Sequence, residues 1–101
     1  LSERIAARLP LWEARTGLHP SAWQIKNMKT RWGTCNTATR KIWLNLQLAK
    51  QPPVCLDYVI AHELTHLCYP GHGQDFKAFL TRAMPNWPEV RKALNNQTFI
   101  S

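Results

Sequence analysis

Apolar residues recur along the chain with two different periods, and the periods divide it into helical and extended stretches. In SERIAARLPLWEART (2–16) Ile5, Leu9 and Trp12 fall at helical spacing, with Ser2 ahead of them as an N-cap candidate. Pro10 lies inside that stretch and is expected to kink or split the helix, because it removes a backbone donor. GLHPSA reads as a loop. Three short runs follow, WQIKNM, RWGTCN and KIWLNL, and each reads as a strand. The last two, linked by TATRK, are expected to form an antiparallel hairpin. QPP interrupts the pattern, and Pro53 suits the first turn of a helix predicted over 54–67. Past the GHG turn, Phe76, Phe79, Leu80 and Ala83 form an i, i+3, i+4, i+7 stripe, which predicts a helix over 74–83. Pro85 ends it, and a fourth helix starting near Pro88 carries Val90 and Leu94. Helices and a small sheet in this order make an α+β fold.

Composition bounds the size of the problem. The chain has 101 residues, enough for one domain (1–101) with one modest core. Hydrophobic residues are 45% of it and five are Trp, which argues for a packed domain rather than disorder. It begins at Leu1 rather than Met, which suggests a fragment lacking its native N terminus. No apolar run approaches the ~20 residues of a membrane span, and no signal peptide is visible. Cys35, Cys55 and Cys68 are odd in number and at no zinc-knuckle spacing, so they read as reduced, buried thiols of a cytoplasmic protein. The net charge of +7 admits acidic partners such as nucleotides, nucleic acid or acidic peptides. It does so without a concentrated basic run, so charge alone selects none of them.

The candidate chemistry is concentrated in HELTH (62–66) and the stretch LCYPGHGQDF after it. Each helical residue turns about 100°, so His62 and His66 project from one face about 40° apart, where two imidazoles can bind one zinc ion. Glu63 lies on the flank of that face, close enough to reach water at the metal without being a ligand. A zinc site that keeps an open position needs a third protein ligand. Pro70 and Gly71 break the helix after Tyr69, and His72 follows where a reversing chain can bring it back. Asp75 and Glu89 are the alternative third ligands. Two solvated or capping histidines remain the bland reading of an HExxH match. The apolar helix around this one and the histidine after the turn weigh against it. Cys68, about 200° round the helix from His66, is expected to be a core thiol. Tyr69 is nearly back on the ligand face and can be read as an oxyanion donor. Trp32 reads first as core packing, and Trp32-Gly33 also as room for a substrate backbone at the sheet edge. Arg31, Arg40 and Lys41 flank the hairpin as solvated charges or phosphate contacts.

TRWGTCN, KIWLNLQLAKQPP, LDYVIAHELTHL, GHGQDFKAFL and PNW in this order resemble the YgjP-like metallopeptidase domain, a relative of the SprT and WLM zincins. The resemblance runs over about 29–94, with WGTC where the family usually has WGSC. It implies a minimal zincin-like fold: a small antiparallel or mixed three-stranded sheet packed on helices, with the metal helix beside an edge strand. It also implies one zinc per chain at His62, His66 and His72, with Glu63 as catalytic base. Met84 imitates a metzincin Met-turn only loosely and reads better as packing.

The resulting expectation is a zinc-dependent metallopeptidase in which Glu63 acts as general base on a metal-activated water. Candidate substrate contacts are Arg31, Trp32, Gly33 and Tyr69. Two rivals stand beside it. The same centre can hydrolyse a nucleoside triphosphate as a pyrophosphatase, an activity linked to members of the family. Otherwise the chain is a non-enzymatic zinc or nucleic-acid-binding module, against which Glu63 counts, since a structural site needs no base. Neither the substrate nor the oligomeric state is legible at this level.

Overall fold

The computed structural model describes residues 1–96. Helix α1 (Ser2–Thr16) is followed by strands β1 (Ala22–Lys26), β2 (Gly33–Asn36) and β3 (Lys41–Asn45). A 3-10 turn (Leu46–Lys50) leads into α2 (Pro53–His66), then α3 (Gln74–Ala83) and α4 (Trp87–Asn95). The architecture is α+β. The strand order is β1-β3-β2, with β1 parallel to β3 and β2 antiparallel to it, so the sheet is mixed and β2 is an edge strand.

Helix α2 is the structural hub. It packs against α1, α3, α4, β2 and β3. From Cys55 to Thr65 every residue except Asp57 is buried. That is why its sequence is apolar on nearly all sides instead of along one stripe. The other helices bury one face each: Ile5, Leu9 and Trp12 from α1, Phe76, Leu80 and Ala83 from α3, Val90 and Leu94 from α4. Met84 is a core residue, as its packing role requires.

Several local expectations are revised. Helix α1 runs through Pro10. Pro10 and Ala6 are both exposed, so the Ala6 carbonyl that loses its helical donor faces water. The two halves are also tied down together, because Asp57 on α2 accepts from Arg8 Nε (2.8 Å) and Nη2 (3.1 Å) and from Trp12 Nε1 (2.9 Å). Asp57, which its position marks only as a helix-dipole complement, is therefore an interhelical latch. Ser2 is the first helical residue and provides no side-chain cap; Leu1 holds the cap position. Cys55 is buried and Cys35 half-buried, but Cys68 is exposed. Helix α2 stops at His66, so the helical rotation that turns Cys68 inward on paper does not extend to it.

Asn45 fixes the loop between β1 and β2. It is fully buried, donates from Nδ2 to the carbonyls of Met28 (3.0 Å) and Arg31 (2.7 Å), and accepts at Oδ1 from Gln47 N (2.9 Å). Its own N–H donates to the Trp32 carbonyl. One side chain thus sets the path of the segment carrying Thr30 and Arg31 toward α2.

Candidate metal centre

His62 and Glu63 stand on the last helical turns of α2, His62 8% and Glu63 5% exposed, while His66 is half-buried. After the break at Pro70 the chain reverses, and exposed His72 comes back over the helix end. The Nε2 atoms of His66 and His72 each lie 3.2 Å from Nε2 of His62. All three ligand atoms fall within 4.8 Å of one another.

That spacing fits a metal ion. Tetrahedral zinc with Zn–N bonds of about 2.0–2.1 Å sets its nitrogens roughly 3.3 Å apart. The protonation pattern fits as well. The His66 Nδ1–H is directed at the Tyr69 carbonyl (3.1 Å), which leaves Nε2 with a bare lone pair turned toward its neighbours. Burial, followed by the charges of His66, His72 and Arg91, pushes the His62 imidazole down to about 3, so it is neutral and able to ligate. His66 is also lowered, chiefly by burial. Fully buried Tyr58, one turn before His62, places its hydroxyl 3.4 Å from His62 Nδ1. Phe76 packs its ring against all three imidazoles at centroid distances of 4.7–5.0 Å. Among the described residues neither Asp75 nor Glu89 belongs to the cluster.

Glu63 lies beside this cluster without joining it. Burial raises its carboxyl to about 8, and the positive charge of Arg31 pulls the other way. A cation at the histidines would pull it down further. Gly33 is what lets β2 approach so closely. A Cβ there would sit 2.7 Å from Val59 Cγ1 and 3.0 Å from Glu63 Oε2. The expected space for a substrate backbone at Gly33 is therefore partly filled from beneath by Glu63 itself.

A cleft of about 560 Å³ opens above the cluster, lined by His62, Glu63, His66 and His72 on one side and by Arg31, Gly33, Thr34 and Cys35 on the other. Two expected substrate contacts lie elsewhere. Trp32 is 1% exposed and is part of the core, since the chain buries the indole just before Gly33 meets the helix. Tyr69 is half-buried with its ring 5.8 Å from Phe79, and it does not line the cleft. It serves the site through its carbonyl instead of its hydroxyl. Arg40 and Lys41 are also outside the cleft: Arg40 donates to the His19 carbonyl (3.0 Å) and Lys41 to Gln24 Oε1 (2.8 Å). Residues that the sequence gives little reason to single out are Tyr58, Phe76, Cys35 and Arg91. For Tyr58 a signal exists in the i−4 spacing to His62. For the other three only the packing of separate elements reveals the connection.

The family model of the YgjP-like metallopeptidase domain matches residues 1–97. The chain belongs to that family. The match takes in α1, well beyond the 29–94 stretch that carries the motif resemblance. Family membership makes the chain a metal-dependent hydrolase of the peptidase type. Among solved structures it is similar to the metallopeptidase zymogen of Pyrococcus abyssi abylysin, at 16% identity over 95% of this chain and 97% of that one, with a TM-score of 0.83. It is also similar to the metallopeptidase zymogen of Methanocaldococcus jannaschii jannalysin, at 21% identity over 91% and 94%, with a TM-score of 0.76. At those identities the likeness speaks to the fold, a small α+β metallopeptidase scaffold. No curated protein matches the sequence. Among the described residues no helix is long and apolar enough to cross a membrane.

Proposed function

We propose that the chain is a zinc peptidase in which His62, His66 and His72 hold one zinc ion and Glu63 is the general base. The observation that carries this reading is the position of Glu63, which shares a cleft with three converging imidazole nitrogens yet stays outside their cluster. When bound, zinc supplies a Lewis acid that acidifies water and polarises a carbonyl. The buried carboxylate of Glu63 accepts the proton of the attacking water and returns one to the leaving amine. Burial favours this exchange, because it brings the proton affinity of the carboxyl closer to neutrality.

The substrate path follows from the sheet. β2 pairs with β3 along one edge, its other edge has no strand partner among the described residues, and its Gly33, Thr34 and Cys35 line the cleft. An extended peptide adds along that edge, bringing a scissile carbonyl over the histidines. Arg31 lines the same cleft and contacts the peptide beside Glu63. The hairpin grip expected for a triphosphate is weakened, because Arg40 and Lys41 hydrogen-bond to His19 and Gln24 and do not line the cleft.

Two measurements test the reading. Purified protein should carry about one zinc per chain by elemental analysis, and His72→Ala should lose it. Full occupancy in that variant would place the third ligand elsewhere. Glu63→Gln should retain zinc while peptide turnover falls by roughly 10²–10⁴. Parallel assays with nucleoside triphosphates should show no comparable Glu63-dependent hydrolysis. Unchanged peptide turnover in zinc-loaded Glu63→Gln would refute the general-base role.

A further inference from the structure

A second, smaller cleft of about 250 Å³ shares His62 and His72 with the first but none of its strand residues. Its remaining walls are Tyr58 from α2, Phe76 and Lys77 from α3, and Trp87 and Arg91 from α4. The histidine cluster therefore has the sheet edge on one border and a helical recess on another. Because the two clefts share His62 and His72, a peptide laid along the β2 edge and over the cluster would border this recess.

The recess has a definite chemistry. Among the described residues its two charged side chains, Lys77 and Arg91, are both positive, and no carboxylate lines it. Both are exposed, and among the described residues neither has an ion pair. The apolar walls are held in place. Phe76 is 3% exposed and Tyr58 fully buried. Trp87 is half-buried, and its indole N–H donates to Thr81 Oγ1 at 3.0 Å. Two exposed cations beside a buried aromatic wall suit a ligand that has an apolar stem and an anionic end.

We propose that this recess is a specificity subsite for a carboxylate of the peptide substrate, placed near the scissile bond. The inference rests on the peptidase reading. Arg91 provides the planar fork that pairs with a carboxylate, Lys77 adds a second positive charge, and Trp87 and Phe76 pack against the methylenes that carry the acid. The carboxylate has two sources, an Asp or Glu side chain or the free C terminus of a short peptide.

Zinc-loaded protein is assayed with three peptides of one core sequence: neutral with an amidated C terminus, Glu-substituted near the scissile bond with an amidated C terminus, and neutral with a free C terminus. The wild type should favour at least one carboxylate-bearing peptide over the neutral amide in kcat/KM by about tenfold, the low end for charge-assisted bonds in a solvated site. Which peptide is favoured identifies the source. Lys77→Ala/Arg91→Ala should reduce that ratio to near one, Arg91→Glu should reverse it, and Arg91→Lys should restore part of it. Calorimetry on metal-free protein with an acetylated Glu-containing tripeptide amide, its Gln counterpart and the Gln tripeptide with a free C terminus reads the recess without catalysis. Tighter binding of at least one carboxylate-bearing peptide than of the Gln amide, lost in the double variant, is expected.

If no peptide is cut, the peptidase reading fails and calorimetry still decides whether the recess takes a carboxylate. Equal rates for all three peptides, or a double variant that loses activity equally on each, would overturn the proposal. So would equal binding of the Glu amide, the Gln amide and the Gln free acid. Both cations are on the surface, and circular dichroism of each variant separates misfolding from lost recognition.

Discussion

Glu63 on α2 is covered by the start of β2 at 5% exposure, and the proton it holds there bears on stability. Burial raises its carboxyl from 4.5 to about 8, so in the metal-free protein the folded state binds a proton that the unfolded chain releases at lower pH. The stability this provides is fully present below about 4.5 and is lost as pH rises through about 8. The unfolding free energy of metal-free wild type minus that of Glu63→Gln should therefore fall by a few kcal/mol (roughly) between these limits, read from urea midpoints. Subtracting the Gln variant removes the opposing contribution of His62, which burial lowers. A difference flat with pH would show that Glu63 is solvated. The thiols carry a second residue-level expectation. Burial, then the charge of Glu63, raises Cys35 to about 11, while Cys68 is exposed. Iodoacetamide near neutral pH should mark Cys68 well before Cys35, as read by peptide mass mapping. At this scale the sequence was most informative where a single helix sets the geometry. His62, Glu63 and His66 follow from the helical period alone. The same reasoning failed for Cys68 and Tyr69, because it continued the helix past the point where the chain leaves it.

Between elements, the contacts that matter are made by a few polar or absent side chains. Asp57 joins α1 to α2 by accepting from Arg8 and Trp12. Asp57→Ala leaves the Trp12 indole N–H without its acceptor, and should cost about 1–3 kcal/mol in urea unfolding. Most of that belongs to the indole, since the Arg8 side chain is 42% exposed and its ion pair is screened by solvent. Zinc affinity should change little, because the latch and the histidines occupy different parts of α2. Gly33→Ala acts on the site directly. Its Cβ would meet Val59 and Glu63 at 2.7 and 3.0 Å. The variant should be destabilised by about 1–3 kcal/mol and should lose kcat more than zinc, because the displaced group is the proposed base and lies outside the histidine cluster. Retained kcat would mean that β2 yields without moving Glu63. The β2–β3 hairpin was readable from its short link and flanking apolar runs. The parallel pairing of β1 with β3 was not, since it joins strands across an intervening one and leaves no local signal. The recess beside His62 was hidden for a similar reason: α4 brings Arg91 there only by packing on α2.

For the molecule as a whole, a metal held as proposed by α2 and the turn after it would be a ligand of the folded state alone. With free zinc at about a hundredfold excess over its dissociation constant, mass action adds about 2.7 kcal/mol. Chelation should then lower Tm by roughly 10 °C for a domain of this size, and His72→Ala should show little further response to the chelator. The hub position of α2 also has a consequence for motion. Because α1, α3, α4, β2 and β3 all lean on it, the segment carrying His62 and Glu63 has no low-energy way to open by itself. Its amide hydrogens should exchange with solvent only when the entire chain unfolds, and so should report the global free energy. Amides of the turn around Gly71 and of the β1–β2 loop should exchange through smaller openings. His72, one of the three proposed ligands, and the cleft residue Arg31 fall in that faster class, so the rim of the proposed site should open well before its floor, which opens only with the fold.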